Sequence, residues 1–188
     1  MAQQELLIHT VRTLDQSGIE YMITGSIVTS LQGEPRSTHD IDVVVKISAG
    51  NVPQLLGAFP PPKYYVDEDT VREAIRLRGS FNVIDTEEGD KVDFWMLDDE
   101  AFDRSRFSRR YREKLFGVEM SVSSPEDTIL AKLRWSRLSG GSERHVRDVL
   151  GVYEVQSPQL DQGYLDEWAQ RLDVIDLLDQ VRQQAFGE

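Results

Sequence analysis

Two aspartates separated by one isoleucine, Asp40 and Asp42, stand directly before Val43, Val44 and Val45. The valine run marks a buried strand, where an unpaired charge is costly unless a partner neutralises it. Side chains alternate along a strand, so the two carboxylates share a face with Cα atoms ~6.6 Å apart and can converge on one ion. Like charges that close raise each other's pKa unless a cation lies between them. A hard oxygen-ligand site for Mg²⁺ or Mn²⁺ removes that cost, above all when phosphate oxygens complete the shell. Upstream, Gly25 and Ser26 follow the apolar run Ile19–Ile23. A helix opening there aims free backbone N–H groups and the Ser26 hydroxyl at an anion. A phosphate cradle beside a metal site is what phosphoryl or nucleotidyl transfer requires.

The elements that must position these residues are legible in the pattern. Leu6, Leu7, Val11 and Leu14 have helical spacing, with Gly18 as a stop. Residues 19–23 read as a strand, 27–31 as a short helix closed by Gly33, and 40–47 as the clearest strand of the chain. A weak helix spans 52–58, and "DEDTVREAIRL" is helical with acids in its first turn, where the helix dipole favours them. "SFNVIDT" and "KVDFWML" flank "EEGD" as a hairpin. Ser124 as N-cap, Pro125 at the first helical position and a Gly-Gly stop mark a helix over 125–138. Three further helical stretches follow, the last two over 161–172 and 174–185.

Composition narrows the classes. The 188 residues suffice for one sizeable core or a core with an appended subdomain, and the absence of cysteine excludes disulfides and thiol chemistry. No apolar run approaches membrane-spanning length and no signal-like leader is present, so the expectation is a cytoplasmic protein away from membranes. A net charge of -12 argues against wrapping long duplex DNA. Residues 101–150 nevertheless carry 11 basic and 7 acidic groups, densest in "RSRFSRRYREK". That stretch reads either as a solvated arginine-rich loop or helix end, or as a contact for a polyanion.

Taken together, "GS", thirteen residues and "DID" followed by valines resemble the signature of the nucleotidyltransferase fold superfamily, to which DNA polymerase beta belongs. Within it, "GEPRSTHDID" is most similar to the bacterial AbiEii-type and related stand-alone nucleotidyltransferases, in which an Arg-x-Thr, here Arg36 and Thr38, precedes the acidic pair. "SPEDTILAKL" resembles the family's later helix carrying a lysine, and "RHVRDVLGV" its arginine-aspartate helix. The likeness runs from about Tyr21 to Val152. It implies an α+β fold: a small mixed nucleotidyltransferase-type sheet flanked by helices over residues 1–123, then a C-terminal helical subdomain, 124–188, packed on the core. It further implies an NTP substrate, Mg²⁺ or Mn²⁺, and catalytic, metal-binding carboxylates at Asp40, Asp42 and a third position. The acceptor hydroxyl stays open between a tRNA end, a protein and a small molecule. The family's toxin members imply an antitoxin partner.

The third carboxylate matches Asp93, which alternates with Val92 and Phe94 and so can join the face of Asp40 and Asp42; Asp85 and Asp90 sit at the hairpin ends. Gly25 and Ser26 would hold the triphosphate. Arg36 would grip phosphate through a bidentate guanidinium or stand as an ordinary loop arginine. Lys132 lies about 60° around its helix from Ile129, at the edge of the apolar stripe, where a lysine either snorkels outward or reaches into a cleft. Asp148 would orient Lys132 or Arg36, or face water. Glu126 and Asp127 are explained by the helix start. Trp95, Trp135 and Trp168 read as core, and His39 as strand-start surface. A competing reading keeps the fold but not the chemistry: a binding module for a nucleotide or a partner protein.

Overall fold

The computed structural model describes residues 2–35, 37–141 and 143–187. They fall into two compact units, Met1–Ser26 with Thr38–Val122, and Ile27–Ser37 with Ser123–Glu188.

The first unit is built on a mixed sheet whose described strands run in the order β3-β4-β5-β2-β1-β7-β6. Its centre is β2 (Asp40–Lys46), antiparallel to β1 (Glu20–Thr24) and parallel to β5 (Lys91–Met96). The hairpin read from the sequence is β4 (Ser80–Asp85) with β5, and β3 (Tyr64–Tyr65) adds an edge. The buried Asp85 carboxylate closes that hairpin by accepting from the N–H groups of Glu87 and Glu88, at 3.0 and 3.2 Å. It is thereby occupied with the turn. On the other side of β1, β7 (Val118–Val122) pairs in parallel and carries β6 (Tyr111–Leu115).

One face of the central strands is apolar. Ile41, Val43 and Val45 of β2 align with Val92 and Phe94 of β5 and with Ile23 and Tyr21 of β1, all buried. Phe81 stacks on Phe94 with ring centroids 4.7 Å apart. The helix α1 (Ala2–Gln16) meets β1 and β5, and its Leu6, Leu7, Val11 and Leu14 are fully buried, as their helical spacing requires. The helices α3 (Val52–Ala58) and α4 (Glu68–Leu77) follow their sequence signals; Asp67 caps α4 by accepting from Thr70 N–H at 2.8 Å. The stretch 101–123 is organised by signals too weak to read in isolation. There α5 (Ala101–Ser108) holds Arg104 and Arg106, Arg109 and Arg110 lie in the connection that follows, and β6 holds Arg112.

The second unit contains most of α2 (Gly25–Gln32), together with α6 (Pro125–Leu138), α7 (Glu143–Gln156), α8 (Gln162–Arg171) and α9 (Ile175–Phe186). Ser124 caps α6, accepting from Asp127 N–H at 3.2 Å and donating to Asp127 Oδ2 at 2.7 Å. Tyr164 donates to Asp127 Oδ1 at 2.7 Å, and Asp161 N–H to Glu126 Oε1 at 3.0 Å, so both acids of the first turn are structural. Trp168 is core as expected, but Trp135 is 54% exposed.

The end of α2 is held against α7 backbone to backbone. A Cβ on Gly33 would lie 2.7 Å from Val152 N and 2.8 Å from Gly151 C. Gln32 donates to Ser123 O at 2.7 Å, and Gln156 donates back to Gln32 O at 2.8 Å. Gly33→Ala must therefore push two helical backbones apart, and urea unfolding of that variant is expected to show a loss of about 1–3 kcal/mol. Unchanged stability would contradict the close approach.

Candidate active site

Register brings the sequence-predicted acids together. In the parallel pair β2–β5, Asp40 stands opposite Lys91 and Asp42 opposite Asp93, and paired residues share a face. Asp40, Asp42, Lys91 and Asp93 therefore project from the side of the sheet opposite the apolar core, with Trp95 and, from β1, Thr24 beside them. Of the hairpin-end competitors to Asp93, Asp85 closes the turn and Asp90 lies 3.5 Å from His39 Nδ1. The His39 side chain is itself 85% exposed.

Gly25 approaches from β1. It carries φ +69, a conformation open to glycine, and it lets the chain leave β1 directly into α2. Gly25 and Ser26 thus form the first residues of the helix, whereas the sequence places them in a turn ahead of it. A Cβ on Gly25 would lie 2.7 Å from Asp42 Cγ and 2.9 Å from Asp42 Cβ. The glycine is what lets the helix start and the Asp42 carboxylate occupy adjoining space.

Two residues at this face escape the sequence reading. Lys91 Nζ lies 2.8 Å from Asp93 Oδ2 and 3.6 Å from Asp40 Oδ1, inserting a cation among the acids. Its ion pair with Asp93, outweighing partial burial, raises its pKa above the usual lysine value, with Asp40 adding to the shift. The second residue is Trp95, which the sequence reading places in the core. It is 38% exposed, and its indole N–H donates to Asp42 Oδ1 at 3.3 Å. Both lie at steps of two from Asp93, and that spacing is the signal that could have found them. Among the described residues, no three acidic or histidine side chains close in tightly enough to hold a metal ion unaided.

Further along the same face the chemistry changes. Met22, Val44 and Phe107 form a small buried cluster with Leu97 against it. Beyond it, Glu20 bonds Lys46 at 3.2 Å and Arg110 at 2.8 Å; Lys46 first, then Arg110, hold its carboxyl below the usual range. Lys46 is six residues from Asp40 and four from Asp42, so this network lies ~20 Å along the strand from the first and ~13 Å from the second. Other arginines of the basic stretch are engaged internally too. Arg106 pairs with Asp103 at 2.7 Å, and Arg112 reaches Asp15 at 3.8 Å and Tyr21 at 3.4 Å.

In the second unit Lys132 and Asp148 find each other: Nζ lies 2.7 Å from Oδ2, with side chains only 10% and 6% exposed. Of the alternatives open for Asp148, the structure shows pairing with Lys132. Arg36 lies outside the described residues; Thr38 donates to Asp40 O at 3.5 Å.

Two expectations follow. Gly25→Ala combines a strained φ with the crowding of Asp42, so thermal unfolding should report a loss of about 1–3 kcal/mol. Removing one partner of the buried pair, as in Asp148→Asn or Lys132→Met, should cost about 3–5 kcal/mol in chemical denaturation, whereas the double replacement should recover much of it. Additive losses would mean that the two side chains do not act as a pair.

No protein-family model matches the chain, and no curated protein matches its sequence. Solved structures do match in shape. The solution structure of the antibiotic-resistance factor ANT(2'')-Ia is similar with TM-score 0.60 at 13% identity, over 95% of this chain and 97% of that one. A crystal structure of ANT(2'')-Ia in complex with adenylyl-2''-tobramycin gives 0.57 at 14%, over 98% and 99%. An antigenic nucleotidyltransferase-like protein from Paracoccidioides brasiliensis gives 0.55 at 17%, over 100% and 98%. Among the described residues, no helix is long and apolar enough to cross a membrane. A mixed sheet flanked by helices, with a helical C-terminal part, matched over nearly the full chain to these proteins, is a nucleotidyltransferase-type fold.

Proposed function

We propose that the chain is a divalent-cation-dependent nucleotidyltransferase, moving an NMP from an NTP to an acceptor hydroxyl. The observation that carries this reading is the register of Asp42 with Asp93, with Asp40 on the same face and Gly25 turned against Asp42. The donor set fits Mg²⁺ or Mn²⁺: hard carboxylate oxygens crowded enough to draw in the Lys91 ammonium as a cation. They do not close around an ion alone, so nucleotide oxygens would complete the shell. The ion, when bound, would neutralise the triphosphate and acidify the acceptor hydroxyl.

The chain's own groups then have definable tasks. Asp40 and Asp42 would hold the ion. The backbone N–H groups and the Ser26 hydroxyl at the start of α2 would orient the triphosphate. Asp93 would help hold the ion or take the proton from the acceptor oxygen as that oxygen attacks the α-phosphorus and pyrophosphate leaves. Arg36, Lys132 and Asp148 are proposed to assist nucleotide binding, the last two as a pair.

For the acceptor, a small-molecule hydroxyl is favoured over an RNA end. Of the arginines that would have greeted RNA, Arg106, Arg110 and Arg112 pair with acids, in Arg110's case remote from Asp40, and the net charge is -12. ANT(2'')-Ia in complex with adenylyl-2''-tobramycin illustrates such an acceptor on this fold. The AbiEii-type likeness and an antitoxin partner rest on the sequence motif alone, as does a cytoplasmic location on composition.

Asp42→Ala is expected to abolish transfer of label from α-³²P nucleotides while circular dichroism remains unchanged; undiminished transfer would sink the assignment. A second reading, a non-catalytic binding module, draws on Lys91, which satisfies the acids without a metal. Calorimetry with ATP, CTP, GTP and UTP, with and without Mg²⁺, separates the two: the enzyme requires metal-dependent binding of at least one.

A further inference from the structure

We infer that Lys91 is the resident counter-cation of the acidic face and competes with a divalent ion for the oxygens of Asp40 and Asp93, so that the ion enters with nucleotide and not ahead of it. This rests on the proposed function for its metal. The geometry itself is independent of that reading: Lys91 stands opposite Asp40 and two residues from Asp93, with Nζ 2.8 Å from one carboxylate and 3.6 Å from the other.

An ammonium and a divalent ion need the same carboxylate lone pairs and repel each other at contact distance, so both cannot sit between Asp40 and Asp93. The Lys91 side chain is 35% exposed, and ion pairs near solvent hold weakly enough to be displaced. Its four-carbon stem lets the ammonium swing away while the backbone stays in the sheet. A triphosphate would favour that exchange twice, by delivering the metal with its own oxygens and by offering the released ammonium a new anion. Metal and nucleotide binding would then be coupled through one side chain, each increasing the affinity for the other.

The test is Mn²⁺ binding to the full chain without nucleotide, followed by the paramagnetic resonance signal of free Mn²⁺. Removing a unit positive charge at contact distance should tighten Mn²⁺ binding by at least about tenfold in Lys91→Met. Lys91→Gln, which keeps a hydrogen-bond donor for Asp93, should tighten it similarly and guards against misfolding of the first variant. Lys91→Arg should stay near the parent. In thermal melts without divalent ions, Lys91→Met should unfold earlier than the parent and gain more from added Mn²⁺; a merely structural lysine would show the first effect without the second. Mn²⁺ affinity in both neutral variants equal to or below that of the parent overturns the inference. If label transfer by the parent protein persists in that case, only the role of Lys91 fails. If the variants bind Mn²⁺ tightly but the parent transfers no label to any acceptor, the role of Lys91 stands and the transferase reading fails.

Discussion

Carboxylates held side by side on a sheet need a cation, and that requirement organises the site. Asp40, Asp42 and Asp93 stand on neighbouring parallel strands because the opposite face of those strands is a continuous apolar layer, Ile41, Val43 and Val45 against Val92 and Phe94. Burying that layer fixes the register, since a slip by one residue would turn every acid into the core. The cost of crowding like charges is thereby imposed by the hydrophobic face. Lys91 offsets it within the chain.

The same face is divided along its length. At the end near Asp40 lie the acids, the indole of Trp95 and the start of α2; in the middle is the cluster of Met22, Val44 and Phe107; at the far end Glu20, Lys46 and Arg110 form an ion network. The apolar middle separates two charged regions: at one end Lys91 pairs with Asp40 and Asp93, and at the other Lys46 and Arg110 pair with Glu20. Arg110 also lies over the Phe107 ring, 4.1 Å from its centroid, so it closes the cluster as much as it pairs. Within the arginine-rich segment, Arg106, Arg110 and Arg112 each have an acidic partner in the fold.

Glycine placement does complementary work in the two units. Gly25 permits side chain and helix start to adjoin at Asp42, and Gly33 with Gly151 permits two helical segments to meet through their backbones. In both cases the missing Cβ is the packing feature. Lys132 and Asp148 likewise matter to their unit through burial, because an ion pair that is almost fully enclosed is held in one geometry by the helices that carry it.

Much of this was legible in the chain itself. Period-two alternation around Asp40, Asp42 and Asp93 assigned all three to one face each of their own strands, and helix signals at Ser124, Pro125 and the Gly-Gly pair set boundaries that the structure keeps. Those signals are local: they arise from alternation, capping and dihedral preference within a few residues. The residues 101–123 escaped because their elements are short and are stabilised by β1 and by the Met22–Val44 cluster rather than by a strong pattern of their own. Lys91, Trp95 and the engagement of the arginines escaped for a related reason. A lysine two residues from an aspartate could face water or another strand's acid, and only the pairing of β5 with β2 put Asp40 opposite it. Sequence determined which side chains share a face of each strand; tertiary structure alone decided which strand stands beside which, and with that the partner of every charge.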